Sequence, residues 1–234
     1  QLYRNLDKVR NITPNGTIIP LKEMVHGVSA VQKAIADMLQ SYNGDELFEY
    51  GQVPFNIRIS EINRLKKLEN FLTPTWKMHS DVWAGEPMNY INFLMPIYID
   101  APYMNLEVSE ASKETEFYTL IKTNSFDEGI EKVDVLEPYD IKLKPGAIIV
   151  LDSRAMHRTL FKPLKTLRVS IDCRFLAKVP AGLQKLIDID TGKGYVKYIP
   201  YDVWKKVGEN NLVLESFEDF IKRKEAEIEK KTHR

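Results

Sequence analysis

Hydrophobic and polar positions change their period near Pro74. Before it, the apolar residues Val28, Val31, Ile35, Met38 and Leu39 of "VHGVSAVQKAIADMLQSY" recur at the spacing of one helix face, and "NGDE" ends the pattern. This predicts an amphipathic helix over Val25 to Tyr42. "FNIRI", Phe55 to Ile59, alternates like a strand, and "SEINRLKKLENFL" returns to helical spacing. Beyond Pro74 come "TWKMHSDVW", "NYINFLMPIYI", "NLEVSE", "EFYTLIKT", "YDIKLKPGAIIVLDS", "HRTLF" and "TLRVSIDCRFLAKV". These short runs are rich in aromatic and β-branched residues and are separated by Pro, Gly, Asn and Asp, the texture of successive strands. The expected class is mainly β with flanking helices (α+β), an antiparallel sandwich or barrel of the jelly-roll kind. After Pro180 the texture is mixed. Ser216 with Asp219 predicts a capping box opening a charged terminal helix. "DTGKG", Asp190 to Gly194, lacks the glycine and hydroxyl spacing of a phosphate loop and reads as a turn.

Composition sets bounds on this picture. The chain has 234 residues, 44% hydrophobic and 28% charged, enough to bury one sizeable core. One domain is therefore expected over 1–234, with an N-terminal helical elaboration (1–51), a jelly-roll core (52–180) and a C-terminal mixed extension and helix (181–234). Thirty-three basic residues balance thirty-three acidic ones, so no overall field points to a nucleic acid or an anionic membrane as partner. The single cysteine, Cys173, excludes an internal disulfide framework and a cysteine-rich metal site, which favours a reducing, cytoplasmic setting. No apolar run approaches the roughly 20 residues of a membrane span, and "QLYRNLDKVR" lacks the apolar core of a signal peptide. The glycosylation triplets at Asn11 and Asn15 are short enough to recur by chance.

The chemistry concentrates around "HSD". On a strand, His79 and Asp81 point to the same face, which brings an imidazole and a carboxylate to one metal ion. A third ligand must come from elsewhere, and histidine occurs only four times. His26 opens a helix and His233 lies at the C-terminus, whereas His157 follows "KPGAIIVLDSRAM", a Pro-Gly turn feeding a strand. Two histidines and one carboxylate on one face of an octahedron, with positions left open, form the donor set of non-haem iron(II) oxygenases. Beyond His157, "RVSIDCRF" alternates Arg168, Ser170, Asp172 and Arg174 with Val169, Ile171, Cys173 and Phe175. A buried polar strip is costly unless its groups are paired or meet a ligand. Arg168 with Ser170 suits a carboxylate, which a guanidinium grips with two parallel hydrogen bonds while the hydroxyl adds a third.

In this order, "HSD", "PGAIIVLDS", His157 and "RVS" resemble the iron(II)- and 2-oxoglutarate-dependent oxygenases with a double-stranded β-helix core, over roughly residues 52 to 180. "HSDVWAGEPMNYINFLMPI" with "RVSIDCRF" is similar to the bacterial subgroup related to the streptomycin biosynthesis oxygenase. The resemblance implies that His79, Asp81 and His157 hold Fe(II), and that 2-oxoglutarate chelates the metal through its 1-carboxylate and 2-keto oxygen. Arg168 then pairs with the 5-carboxylate and Ser170 supports that contact. It further implies consumption of O2, release of succinate and CO2, and hydroxylation of an unactivated C–H bond, in a small molecule first and a peptide second. Tyr90 and Asn92 share a strand face and are candidates for the cosubstrate or for orienting a ligand. Trp83, Glu86 and Asn89 are candidates for the substrate mouth, as is Arg174, which with Asp172 could equally form a structural pair. The rival readings are a cupin-like metal-dependent isomerase or hydrolase and a non-catalytic 2-oxoglutarate-binding protein.

Overall fold

The structure, a computed structural model, describes residues 16–18, 20–61, 74–100, 104–110, 122–133, 135–161, 167–179 and 197–206. The expected helix beyond Glu61, most of the "EFYTLIKT" strand, the "DTGKG" turn and the C-terminal helix lie outside these residues. The strands are β1 (Thr17–Ile18), β2 (Phe48–Val53), β3 (Asn56–Glu61), β4 (Tyr90–Ile99), β5 (Met104–Ser109), β6 (Tyr139–Ile141), β7 (Ile149–Asp152), β8 (Met156–Phe161), β9 (Leu167–Ala177) and β10 (Lys197–Pro200). The helices are α1 (Val25–Gln40), α2 (Gly44–Leu47), α3 (Phe126–Lys132) and α4 (Tyr201–Trp204). The described chain is thus mainly β with few helices. No described helix is long and apolar enough to cross a membrane.

The chain divides into two compact units, Gln1–Ile19 with Asn56–Cys173 and Pro20–Phe55 with Arg174–Arg234. In the first, one sheet contains β1, β3, β4, β7 and the leading part of β9, and a second runs β6-β5-β8. The registered pairs are antiparallel. Register decides which side chains share a face, because directly opposed residues project to the same side. On the second sheet, Leu106 opposes Thr159 and Val108 opposes His157, so all four lie on one face. Leu106 and Val108 pack with Leu94 of β4 and Leu151 of β7, so this face is turned toward the first sheet. Period-two alternation then places Tyr90 and Asn92 on the same inner face as Leu94.

The strip on β9 sits differently from a simple core strand. Ile59 opposes Val169, and with Leu167 and Ile18 these residues make a separate small cluster on the outer side. The polar residues Arg168, Ser170 and Asp172 occupy the opposite face, with Ser60, Arg58 and Asn56 of β3 directly across from them.

In the second unit α1 forms where the apolar spacing predicts it, with Val28, Ile35, Ala36 and Leu39 buried. Val31 and Met38 are only half-buried. A polar residue, Gln32, is fully buried instead, and its Nε2 donates to Trp204 O at 3.3 Å. Trp204 in turn donates from Nε1 to Gln52 O at 2.9 Å. Phe48, Phe175, Tyr201 and Trp204 form the aromatic core here, with Phe175 meeting Trp204 edge-on at 4.8 Å.

Candidate metal centre

His79 and Asp81 do not sit on a regular strand, as their alternation suggested. His79 makes a single antiparallel bridge with His157, and Asp81 opens a 3-10 turn, Asp81–Trp83. The turn forms because the backbone finds its partners locally and across at Ser153. Ser80 Oγ donates to Ser153 O at 2.8 Å, Val82 N–H to the same oxygen at 3.3 Å, and Trp83 N–H to Ser80 O at 3.1 Å. Ser80 itself stays extended (φ −109°, ψ 141°), which keeps His79 and Asp81 on one side. His157 is the second residue of β8, delivered by the turn that follows β7.

The three side chains converge. Each of His79, Asp81 and His157 offers one ligand atom, and these atoms all lie within 4.8 Å of one another. Both imidazoles are oriented by the main chain: His79 Nδ1 lies 2.7 Å from Lys77 O and His157 Nδ1 lies 3.0 Å from Ala155 O. A carbonyl can only accept, so Nδ1 carries a proton on each ring and Nε2 is the nitrogen left to face a metal. His79 Nε2 is 4.0 Å from Asp81 Oδ1. That separation is too long for a hydrogen bond and leaves room for an ion between the two.

Burial holds His79 in the form a metal needs. The ring is 3% exposed, and burial first, then His157, lower its pKa from 6.5 to about 3, although Asp81 acts in the opposite direction. The residue is therefore a neutral donor at physiological pH, not one half of an ion pair with Asp81. Phe126, the first residue of α3, stacks on the imidazole at 4.3 Å with an interplanar angle of 13°. Helix α3 approaches closely because residue 129 is glycine: a Cβ there would meet Trp83 Cε3 at 2.3 Å.

Arg168 lies on the facing sheet and is 3% exposed. Its Nη2 donates to Ser60 Oγ at 3.3 Å and to Thr159 Oγ1 at 3.2 Å. Thr159 is two residues from His157 on the same face of β8, about 7 Å along the strand. The arginine and the three candidate ligands therefore face the same interior between the two sheets of this unit. Arg168 Nε and Nη1, Ser170 Oγ and Asn92 Oδ1 are buried and have no hydrogen-bond partner among the described residues. Burial, and secondarily Arg58, lower the Arg168 pKa to about 10, so the guanidinium is still charged at neutral pH. A buried cation with two unsatisfied nitrogens is the environment in which a carboxylate ligand is most strongly favoured.

No family model matches the chain, and no curated protein or solved structure does.

The remaining candidates take varied places. Tyr90 and Asn92 are buried on the inner face of β4. Trp83 has no exposed surface and packs with Met78, Val82, Phe126, Val133 and Met156, so it backs the site and does not rim a mouth. Glu86 and Asn89 are half-buried in the loop after the 3-10 turn. Arg174 falls in the second unit, and Asp172 pairs with Arg58 at 3.4 Å. His26 is exposed on α1. Three residues of the site escape the sequence reading: Phe126, Arg58 and Thr159. A signal existed for the first, since "SFDE" is a capping box: Ser125 Oγ accepts from Glu128 N–H at 3.1 Å. For Arg58 the signal was "RIS", which repeats the Arg-x-Ser spacing of "RVS".

Proposed function

We propose that the protein is an Fe(II)- and 2-oxoglutarate-dependent dioxygenase that hydroxylates an unactivated C–H bond of a small molecule, and that the facing sheets of its first unit are a double-stranded β-helix core. The observation that carries this reading is the pairing of a His-Asp-His donor set with a buried, half-satisfied arginine in one interior space. His79, Asp81 and His157 would hold the metal through Nε2, a carboxylate oxygen and Nε2, leaving the other coordination positions for exogenous ligands. Arg168 would take the distal carboxylate of the cosubstrate, with Ser170 Oγ adding a hydrogen bond. Bound together, the ferrous ion and 2-oxoglutarate supply an oxidant derived from O2, with succinate and CO2 as co-products.

Charge supports a dianion in particular. With both imidazoles neutral, as metal ligation requires, the cations Arg58 and Arg168 are balanced by Asp81 and Asp172 among the described residues. A divalent metal then adds two positive charges to a poorly hydrated space, and a dicarboxylate cancels them. Phe126 covers the His79 ring, and Trp83 and Met156 pack with Phe126 in the apolar cluster behind it, which keeps water away from a reactive centre on that side.

The test is O2-dependent conversion of 2-oxoglutarate to succinate by the Fe(II)-loaded protein without any primary substrate. Slow succinate formation that disappears in Asp81→Ala supports the reading. Metal binding without any succinate, in protein that also fails to bind 2-oxoglutarate, favours a cupin-type enzyme that uses the metal alone.

A further inference from the structure

Among the described residues, Arg58 is the one cation of this interior that the reading above leaves without a role. It lies on β3 directly opposite Ser170, and Ser60 lies directly opposite Arg168. "RIS" on β3 and "RVS" on β9 thus run antiparallel with each arginine facing the other strand's serine. All four side chains share the inner face, and the two arginines are diagonal neighbours, about 7 Å apart at Cβ and within mutual reach of long side chains.

Two like charges so placed are unfavourable unless an anion sits between or beside them. Asp172 meets this need only in part. It accepts from Arg58 Nη2 at 3.4 Å, the long end of the hydrogen-bond range. Arg58 Nε is buried and has no hydrogen-bond partner among the described residues. Arg58 also lowers the proton affinity of Arg168, so its charge is felt at the anion end of this space.

We propose that Arg58 is a second cosubstrate-binding residue, whose Nε–H joins Arg168 and the hydroxyls of Ser60 and Ser170 in a two-stranded cradle for the distal carboxylate of a 2-oxo diacid. This rests on the 2-oxoglutarate reading of the site and adds to it the half of the cradle carried by β3. In the cradle each carboxylate oxygen has a guanidinium of its own, and Asp172 keeps Arg58 from repelling Arg168 when no diacid is bound.

The test compares two ligands of equal chain length on the Fe(II)-loaded protein under anaerobic conditions, measured by calorimetry: 2-oxoglutarate and 2-oxovalerate, which lacks the distal carboxylate. Arg58→Gln is expected to weaken 2-oxoglutarate about 10-fold or more while 2-oxovalerate and Fe(II) bind as before. Arg58→Lys keeps the charge but loses the Nε–H, and is expected to weaken 2-oxoglutarate about 5-fold, again without effect on 2-oxovalerate. Because Lys preserves the charge beside Asp172, it reads out the contact even if the Gln variant does not fold. Equal losses for both ligands, or unchanged 2-oxoglutarate binding in Arg58→Lys, would overturn the proposal. A wild-type protein that does not prefer 2-oxoglutarate over 2-oxovalerate is a different result, and it removes the cosubstrate reading itself.

Discussion

His79 and His157 are each other's main-chain partners: His79 N–H donates to His157 O at 3.0 Å and His157 N–H donates to His79 O at 2.8 Å. Their rings tilt across this rung with centroids 4.4 Å apart. Backbone pairing, backed by an Nδ1 bond on each ring, therefore fixes the separation of the two nitrogen donors before any metal arrives. Such preorganisation lowers the cost of assembling a site. Asp81 completes the donor set from the adjoining turn. Asp81→Ala is expected to weaken Fe(II) binding by more than about 100-fold, beyond the usual effect of removing a supporting residue. The rung itself should survive, so far-UV circular dichroism should match the parent protein; a folded Asp81→Ala variant with parent-like iron affinity contradicts the assignment.

Arg168 gives the opposite pattern. Arg168→Met should leave iron affinity unchanged and cost about 2–5 kcal/mol of 2-oxoglutarate binding, because a charged partner inside a buried space is lost. Without ligand the same change relieves a buried, incompletely paired cation. The Tm of the ligand-free protein is therefore expected to hold or rise. A clear fall in Tm combined with normal cosubstrate affinity shows that Arg168 is structural.

Phe126 supports His79 through its face, so truncation should affect both packing and metal. Phe126→Ala is expected to cost about 3–5 kcal/mol of stability in denaturant unfolding. Phe126→Leu keeps most of the volume but loses the parallel ring. Its expected signature is a smaller stability loss with about 10-fold weaker iron binding.

Gly129 tests the approach of α3. A methyl group there has no room against the Trp83 ring. Gly129→Ala should destabilise by about 1–3 kcal/mol despite the better helix propensity of alanine, and it should perturb tryptophan fluorescence. Increased stability would mean that the helix is free to move away.

Metal-free protein should also lose stability in mild acid. The folded His79 pKa is depressed to about 3, against 6.5 for the unfolded chain. Below pH 6.5 the unfolded state binds a proton that the native state refuses. The contribution of His79 is therefore fully present above pH 6.5 and is lost as pH falls toward 3, at up to about 1.4 kcal/mol per pH unit. Urea unfolding of His79→Asn across this window should show a shallower slope than the parent; identical slopes contradict a buried neutral imidazole.

Much of this was legible in the residue pattern because period-two alternation survives folding. β4, β5, β8, β9 and α1 appear where their apolar spacing puts them. The "HSD" segment was misread as a strand because alternation cannot register a turn made by long-range partners. Ser153 captures Ser80 Oγ and Val82 N–H and bends the chain at Asp81. Thr159 gives no signal for a related reason, being an unremarkable strand residue until register brings it within reach of Arg168, and the Arg-x-Ser repeat at Arg58 gains meaning only when register sets it opposite Ser170. Trp83 is a candidate for the substrate mouth only from its place beside "HSD", and tryptophan is more often core; Gly129 admits α3, which packs against its ring.

The most direct test of the central claim is an anaerobic titration of the apoprotein, first with Fe(II) and then with 2-oxoglutarate, followed by visible absorption. The account predicts one Fe(II) per chain and then a weak metal-to-ligand charge-transfer band, absent in His157→Ala. Saturable iron binding with no band on addition of 2-oxoglutarate would contradict it.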